Sequence, residues 1–230
     1  MKKRTNYPED AADTRNNVQE GMAAYSEEWE EDDRERPMST LYPPRSNEFP
    51  RQGSYTIDDY NALPDDRRFE LIDGYLIEME APSIIHQFII GELFVAIRDC
   101  IEAHGMPCRV LFSPLDVRLD RDNRTVVQPD VVVRCGQRSS LEGFEEGEPD
   151  FVAEILFKSN RAHDLVLKYR KYKNAGVREY WIIDPENRIV RVNHFEKDAP
   201  EEIYPFDSLI EVRISEGTCR IDFAAISREM

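Results

Sequence analysis

Residues Phe151 to Phe157, FVAEILF, form an apolar run of the kind that fills a buried strand, yet one carboxylate, Glu154, stands in its middle. A second carboxylate has a similar setting. In VVQPDVVVR, Asp130 follows Pro129 and opens a run of three valines, and a proline is tolerated at a strand start where its missing donor does no harm. One loop separates the two runs, so they are candidates for neighbouring strands. A buried ionised group without a partner costs several kcal/mol or shifts its pKa until it is neutral. A divalent cation would remove that cost. Mg²⁺ takes one or two carboxylates with waters and phosphate oxygens, so Asp130 and Glu154 would suffice as protein ligands.

Phosphodiester hydrolysis at such a metal also calls for a cation near the attacking water. Lys168 lies on the predicted helix after Glu154, where Leu165, Tyr169 and Tyr172 mark an apolar face that it borders. Lys158, four residues after Glu154, competes with it on sequence distance alone.

The rest of the chain reads as one folded domain behind a tail. Residues 1 to 50 hold SEEWEEDDRERP and LYPPRSNEFP with few aliphatic side chains, a composition that cannot offset its ordering entropy, so a disordered acidic and Pro-rich tail is expected. From residue 51 to 230 the pattern is that of a domain. SYTIDDYNALP predicts a short capped helix or turn, and RFELIDGYLIEME predicts a hairpin about Asp73-Gly74. A long helix follows, capped by Ser83, ended by Gly105, and apolar along Ile89, Ile90, Leu93, Ile97 and Ile101.

Strand-like runs CRVLFSPLDVRL, VVQPDVVVRC and FVAEILF come next, with a polar turn at Asp120 to Arg124 and a Gly- and Glu-rich loop over 142 to 149. A second amphipathic helix is predicted from Arg161 to Ala175, closed by Gly176. Then come EYWIID and NRIVRVNHF about the turn Asp184 to Asn187, and a small hairpin from LIEVRI and CRIDF. This order predicts an α/β (α+β) domain with helices on a central mixed β-sheet. Tyr172, Tyr180 and Trp181 are expected in its core.

With 30 basic and 46 acidic side chains the net charge is −16, so long-range attraction to nucleic acid or an anionic membrane is not expected and a phosphate must be met locally. The four cysteines, Cys100, Cys108, Cys135 and Cys219, show no C-x-x-C spacing and no scaffold density. Reduced thiols in a cytoplasmic protein are expected, with no structural zinc, and His104, His163 and His194 share no zinc-like spacing. MKKR is followed by polar residues, and the most apolar helix is broken by His86, Gln87 and Glu92, so neither export nor a membrane span is expected.

The ordered series ELIDG, PS..H, QPD, PDFVAEIL and K...Y...GVREYW resembles the Uma-two-type putative restriction endonuclease family within the PD-(D/E)XK nuclease superfamily, from about Ser54 to Phe195. The resemblance implies a restriction-endonuclease-like core in which Asp130 and Glu154 bind Mg²⁺, with Mn²⁺ as a substitute. It implies that the site lysine has moved from the usual strand position, here Leu156, to Lys168 on the following helix. Glu70 would add an acidic group, and His86 of PS..H would line the site. Where relatives carry E-x-L-S-P-S this chain has EILFKS, so Phe157 and Lys158 replace small turn residues.

The activity so implied is metal-dependent endonucleolytic cleavage, with DNA as the expected partner. Its rivals are a catalytically silent nuclease fold serving as an interaction module, and a nuclease for RNA or branched DNA. A homodimer would pair two sites on a duplex, although no sequence feature demands one.

Overall fold

Short capping and turn signals start the first elements of the domain. In the computed structural model, which describes residues 50–64, 67–119, 122–136, 145–157, 163–197, 199–215 and 218–230, Thr56 and Asp59 form a capping box that starts helix α1 (Ile57–Asn61). Asp73 and Gly74 both take positive φ, 53° and 82°, and join strands β1 (Phe69–Ile72) and β2 (Tyr75–Glu78). A Cβ on Gly74 would lie 2.8 Å from the carbonyl oxygen of Gly53, so only glycine serves there. Ser83 accepts from the backbone N–H of His86 and caps α2 (Ile84–Ala103), whose buried stripe is Ile89, Ile90, Leu93, Ile97 and Ile101 as the spacing predicts.

Six strands form the central sheet: β3 (Cys108–Phe112), β5 (Val131–Cys135), β7 (Phe151–Ile155), β8 (Glu179–Asp184), β9 (Ile189–His194) and β10 (Glu202–Pro205), with β4 (Val117–Arg118) and β6 (Glu145–Glu146) pairing apart from it. Their spatial order is β10-β9-β8-β7-β5-β3, and only β7 and β8 run parallel, so the sheet is mixed as expected. A last hairpin of β11 (Leu209–Val212) and β12 (Cys219–Asp222) leads into α4 (Phe223–Arg228), a helix that the sequence reading left out.

The two faces of the sheet have different covers. Val131, Val133, Phe151, Ala153 and Ile155 point to the face under α2, joined by Trp181 and by Phe223 of α4. Val132, Val152, Leu156, Tyr180 and Ile182 point to the other, where Tyr172 packs. Tyr172, Tyr180 and Trp181 are wholly buried, as expected of core aromatics. Tyr172 belongs to α3 (Tyr169–Ala175), which continues from a π-wound segment, His163–Lys168, and ends at Gly176 in the left-handed conformation with φ 97°.

The cysteines differ from expectation. All four are paired, Cys100 with Cys219 and Cys108 with Cys135, so the expected reduced thiols are absent here. Spacing along the chain could not reveal this. Cys108 and Cys135 are register partners on adjacent strands, and α2 packs beside β12 to bring Cys100 to Cys219, 119 residues away.

The expected tail over residues 1 to 50 falls, Pro50 apart, outside the described residues, as do Lys158, the helix start at Arg161 and parts of the turn after Asp120 and the loop after residue 142. All described residues belong to one compact unit, Ser46–Met230. Among them no helix is long and apolar enough to cross a membrane.

Candidate active site

Strands β5 and β7 pair antiparallel with Val131 opposite Ala153 and Val132 opposite Val152. Continuing that register by one step sets Asp130 opposite Glu154. The two carboxylates therefore leave the same sheet face from adjacent strands, at the separation at which cross-strand side chains interact. Asp130 Oδ2 accepts from the backbone N–H of Ile155 at 2.8 Å, which fixes the carboxylate across the strand gap. Both residues are buried, Asp130 at 7 % and Glu154 at 2 % exposure.

Lys168 is the last residue of the π-wound segment, and its ammonium enters the same buried corner. Nζ donates to Glu154 Oε1 at 3.0 Å and lies 2.9 Å from Glu70 Oε1. One turn on, the Tyr172 hydroxyl donates to the same Glu154 oxygen at 2.6 Å. Burial pushes the Tyr172 phenol well above its ordinary pKa, and the neighbouring Glu154 adds to that effect. The phenol is thus fixed as a donor.

Glu70 arrives from the hairpin. Leu71 and Val126 exchange backbone hydrogen bonds of 2.8 and 2.7 Å, which lays β1 against the segment that leads to Asp130. The Gln128 N–H then donates to Glu70 Oε1 at 2.6 Å. Glu70 is 2 % exposed, although an acid before a hairpin turn is ordinarily solvated.

His86, in the first turn of α2, faces Asp130 with Nε2 at 3.1 Å from Oδ2. Its Nδ1 is buried and has no hydrogen-bond partner among the described residues, an acceptor or donor left unserved beside the acidic pair. Asp130, Glu154, Lys168 and His86 line one small cleft of about 30 Å³, together with Arg68 and Phe157. The structure thus brings together Asp130, Glu154, Lys168, Glu70 and His86, all five site residues expected from the sequence.

The donor set suits a hard divalent cation. Asp130 and Glu154 offer carboxylate oxygens, the ligand type Mg²⁺ prefers. Among the described residues Glu70 and Glu154 contact the ammonium of Lys168, and Asp130 lines the same cleft, so carboxylates outnumber the lysine at this corner. Among the described residues Asp130 Oδ1 accepts no hydrogen bond, since both donors reach Oδ2.

Sequence reasoning gave no role to three residues at this place. Gln128 serves Glu70 through its N–H, while its side-chain amide donates to Asp116 at 2.7 Å and to the Tyr60 hydroxyl at 3.1 Å. Arg68 donates through two nitrogens to Gln128 Oε1, at 3.0 and 2.7 Å, and stands at the cleft wall. Tyr172 combines its core position with the bond to Glu154. Position inside QPD pointed to Gln128, and the i,i+4 spacing from Lys168 pointed to Tyr172; nothing local marked Arg68.

The Uma2 family model, described as "Putative restriction endonuclease", matches residues 57–218. No curated protein matches the chain. Among solved structures, a putative nuclease belonging to DUF820 from Anabaena variabilis ATCC 29413 is similar at a TM-score of 0.63 and 19 % identity, covering 74 % of this chain and 96 % of that one. The two share a fold.

Proposed function

Because the chain belongs to the Uma2 family of putative restriction endonucleases, we propose that it is a metal-dependent endonuclease of the PD-(D/E)XK type that hydrolyses phosphodiester bonds in DNA. The observation that carries this reading is the convergence of Asp130, Glu154 and Lys168 in one buried corner, with Lys168 Nζ 3.0 Å from Glu154.

Asp130 and Glu154 would hold Mg²⁺ or Mn²⁺, which when bound offsets charge on the scissile phosphate and acidifies a water. Lys168 then stands as the fixed positive charge beside the attacking oxygen. Such preorganised charge costs no reorganisation during reaction and acts strongly where water is excluded. Glu70 and Tyr172 have positioning roles: Glu70 tethers the ammonium, and Tyr172 holds Glu154 in one rotamer. His86 orients Asp130 through Nε2, and its unserved Nδ1 is a natural place for an ordered water. Arg68 supplies local positive charge for a phosphate in an otherwise acidic chain of net charge −16.

That net charge favours one rival, a silent nuclease fold serving as an interaction module, since nonspecific DNA binding draws on Lys and Arg. RNA or branched DNA would use the same chemistry. A homodimer would pair two such sites on a duplex. The cytoplasmic placement expected from unpaired thiols loses that support, because all four cysteines are bonded.

The test is incubation of the whole protein with supercoiled DNA, branched DNA and single-stranded RNA, each with Mg²⁺, Mn²⁺ or a chelator. Nicking that requires metal and vanishes in Asp130→Asn and Glu154→Gln is the expected result. Metal-dependent cleavage of RNA alone would move the substrate, and no cleavage of any of the three would favour the interaction module.

A further inference from the structure

A second cluster of ligating side chains lies at the far end of α2. His86 and His104 are separated by eighteen residues along this helix and its cap, roughly 27 Å at the α-helical rise, so the cluster is remote from the acidic cleft. Cys100 and His104 stand four residues apart and share one helix face. Cys219 opens β12 and meets them there, and the ligand atoms of Cys100, His104 and Cys219 all lie within 4.8 Å of one another.

The sulfur–nitrogen spacing is that of a tetrahedral thiolate site. Metal–sulfur bonds of about 2.3 Å and metal–nitrogen bonds of about 2.0 Å place sulfur and nitrogen ligands about 3.5 Å apart, and two sulfur ligands about 3.8 Å apart. Cys100 Sγ lies 3.5 Å from His104 Nδ1. Met106 Sδ lies 3.9 Å from Cys219 Sγ, which places a further soft atom beside the group. Cys219 is buried, Cys100 half-buried and His104 exposed, so the cluster has a protein floor and an entry from solvent.

One bond stands in the way. Cys100 and Cys219 are joined as a disulfide, and sulfurs so joined cannot donate as two thiolates. We propose that the reduced chain binds Zn²⁺ through Cys100, His104 and Cys219, and that the Cys100–Cys219 disulfide is the closed, metal-free state of the same site. Opening needs an external two-electron reductant, such as a thiol or a phosphine. Two thiol molecules reduce the disulfide to two cysteine thiols and leave as one external disulfide. Each cysteine then releases its proton to solvent as its thiolate takes the metal. His104 exchanges its 2.9 Å contact with the Cys100 carbonyl for the metal, or binds through its other nitrogen. An external disulfide reverses the sequence, taking up the two electrons as it becomes two thiols, and the ion is expelled. Two thiolates and an imidazole with one position open are a known zinc donor set.

The test uses the whole protein, reduced with a phosphine, freed of metal and titrated with Zn²⁺ alone against a chromophoric chelator. One tightly held Zn²⁺ per reduced chain is expected, lost on oxidation and weakened at least tenfold in His104→Gln, an exposed change that leaves the core intact. Co²⁺ in place of Zn²⁺ should give the intense near-ultraviolet absorption of thiolate ligation. Cys135→Ser, which opens only the other disulfide, should bind as the unaltered chain does. The proposal is overturned if the reduced chain holds no Zn²⁺, if His104→Gln binds as tightly as the unaltered chain, or if Cys135→Ser abolishes binding. A chain that holds Cu⁺ but not Zn²⁺, and loses it in Met106→Leu, would overturn the zinc assignment.

Discussion

Lys168 Nζ lies 2.9 Å from Glu70 Oε1, with both side chains almost wholly withdrawn from solvent. This contact ties the β1–β2 hairpin to the start of α3, two elements far apart along the chain. It also explains how an acidic corner tolerates burial: one ammonium is shared between Glu70 and Glu154. Breaking such a group costs more than forming it gains, because the remaining charges stay buried without a partner.

Lys168→Met is therefore expected to lose about 3 to 5 kcal/mol of stability, measured by urea unfolding without divalent metal. Combining it with Glu70→Gln should restore part of that loss, since one unpaired carboxylate is then removed. If the protein cleaves DNA, the rate in Lys168→Met should fall on the order of 100-fold or more even under conditions where the variant is folded. A variant as stable and active as the unaltered chain would assign Lys168 no part in either.

Mg²⁺ or Mn²⁺ should raise the midpoint of thermal unfolding, because the carboxylates of Asp130 and Glu154 are gathered only in the folded chain. At a hundredfold excess over the dissociation constant the gain is about 2.7 kcal/mol. Asp130→Asn and Glu154→Gln should lose most of the shift. An undiminished shift in both would put the ion elsewhere.

Glu179 gives a pH dependence of defined sign. Burial pushes its carboxyl from 4.5 up to about 7, against the donors Ile214 N–H at 3.0 Å and Trp181 Nε1 at 2.7 Å, and with Arg213 and His194 nearby. Below about pH 4.5 both folded and unfolded chains keep the proton, and its contribution is complete. Between about 4.5 and 7 only the folded chain holds it, so stability falls as pH rises through that window. The total is on the order of 3 kcal/mol. The difference in unfolding midpoint between the unaltered chain and Glu179→Gln should change by several degrees from pH 5 to 8, to the disadvantage of the unaltered chain. A flat difference would mean that Glu179 is ionised in the folded state throughout.

A chain beginning at Arg51 should unfold cooperatively with nearly the same midpoint, as residues 1 to 50 offer few apolar side chains for a core. The first anchoring bonds inside the domain are retained, those of Gln52 with the backbone of Leu76 and of Gly53 with Gly74. A fall of ten degrees or more, equivalent to about 2 kcal/mol or more, would show that the removed residues contribute to the fold.

Much of the architecture was legible because it depends on neighbours along the chain. Thr56 and Ser83 cap their helices by bonds to residues three positions on, and Asp73-Gly74 makes its turn from two residues whose backbone accepts positive φ. The buried runs of β5 and β7 were visible by composition. With one loop between them, the register that sets Asp130 against Glu154 follows from their pairing. Lys168 stands out by its place beside the apolar face of the predicted helix and again by the ordered motif series, whereas Glu70 and His86 come from that series alone.

Other features had no local signal. The sequence leaves Lys168 and Lys158 as competitors; the described structure commits Lys168 to Glu70 and Glu154, because the hairpin is held against Val126 and α3 lies over that corner of the sheet. Arg68 at the cleft wall, the meeting of Cys100 with Cys219 and the place of β10 at the sheet edge arise in the same way. Caps and turns close over three or four residues and carry most of their energy within those residues. Contacts between distant segments exist only after strand order and helix placement have closed the loops between them, and the many side chains that determine that order are spread across the whole domain.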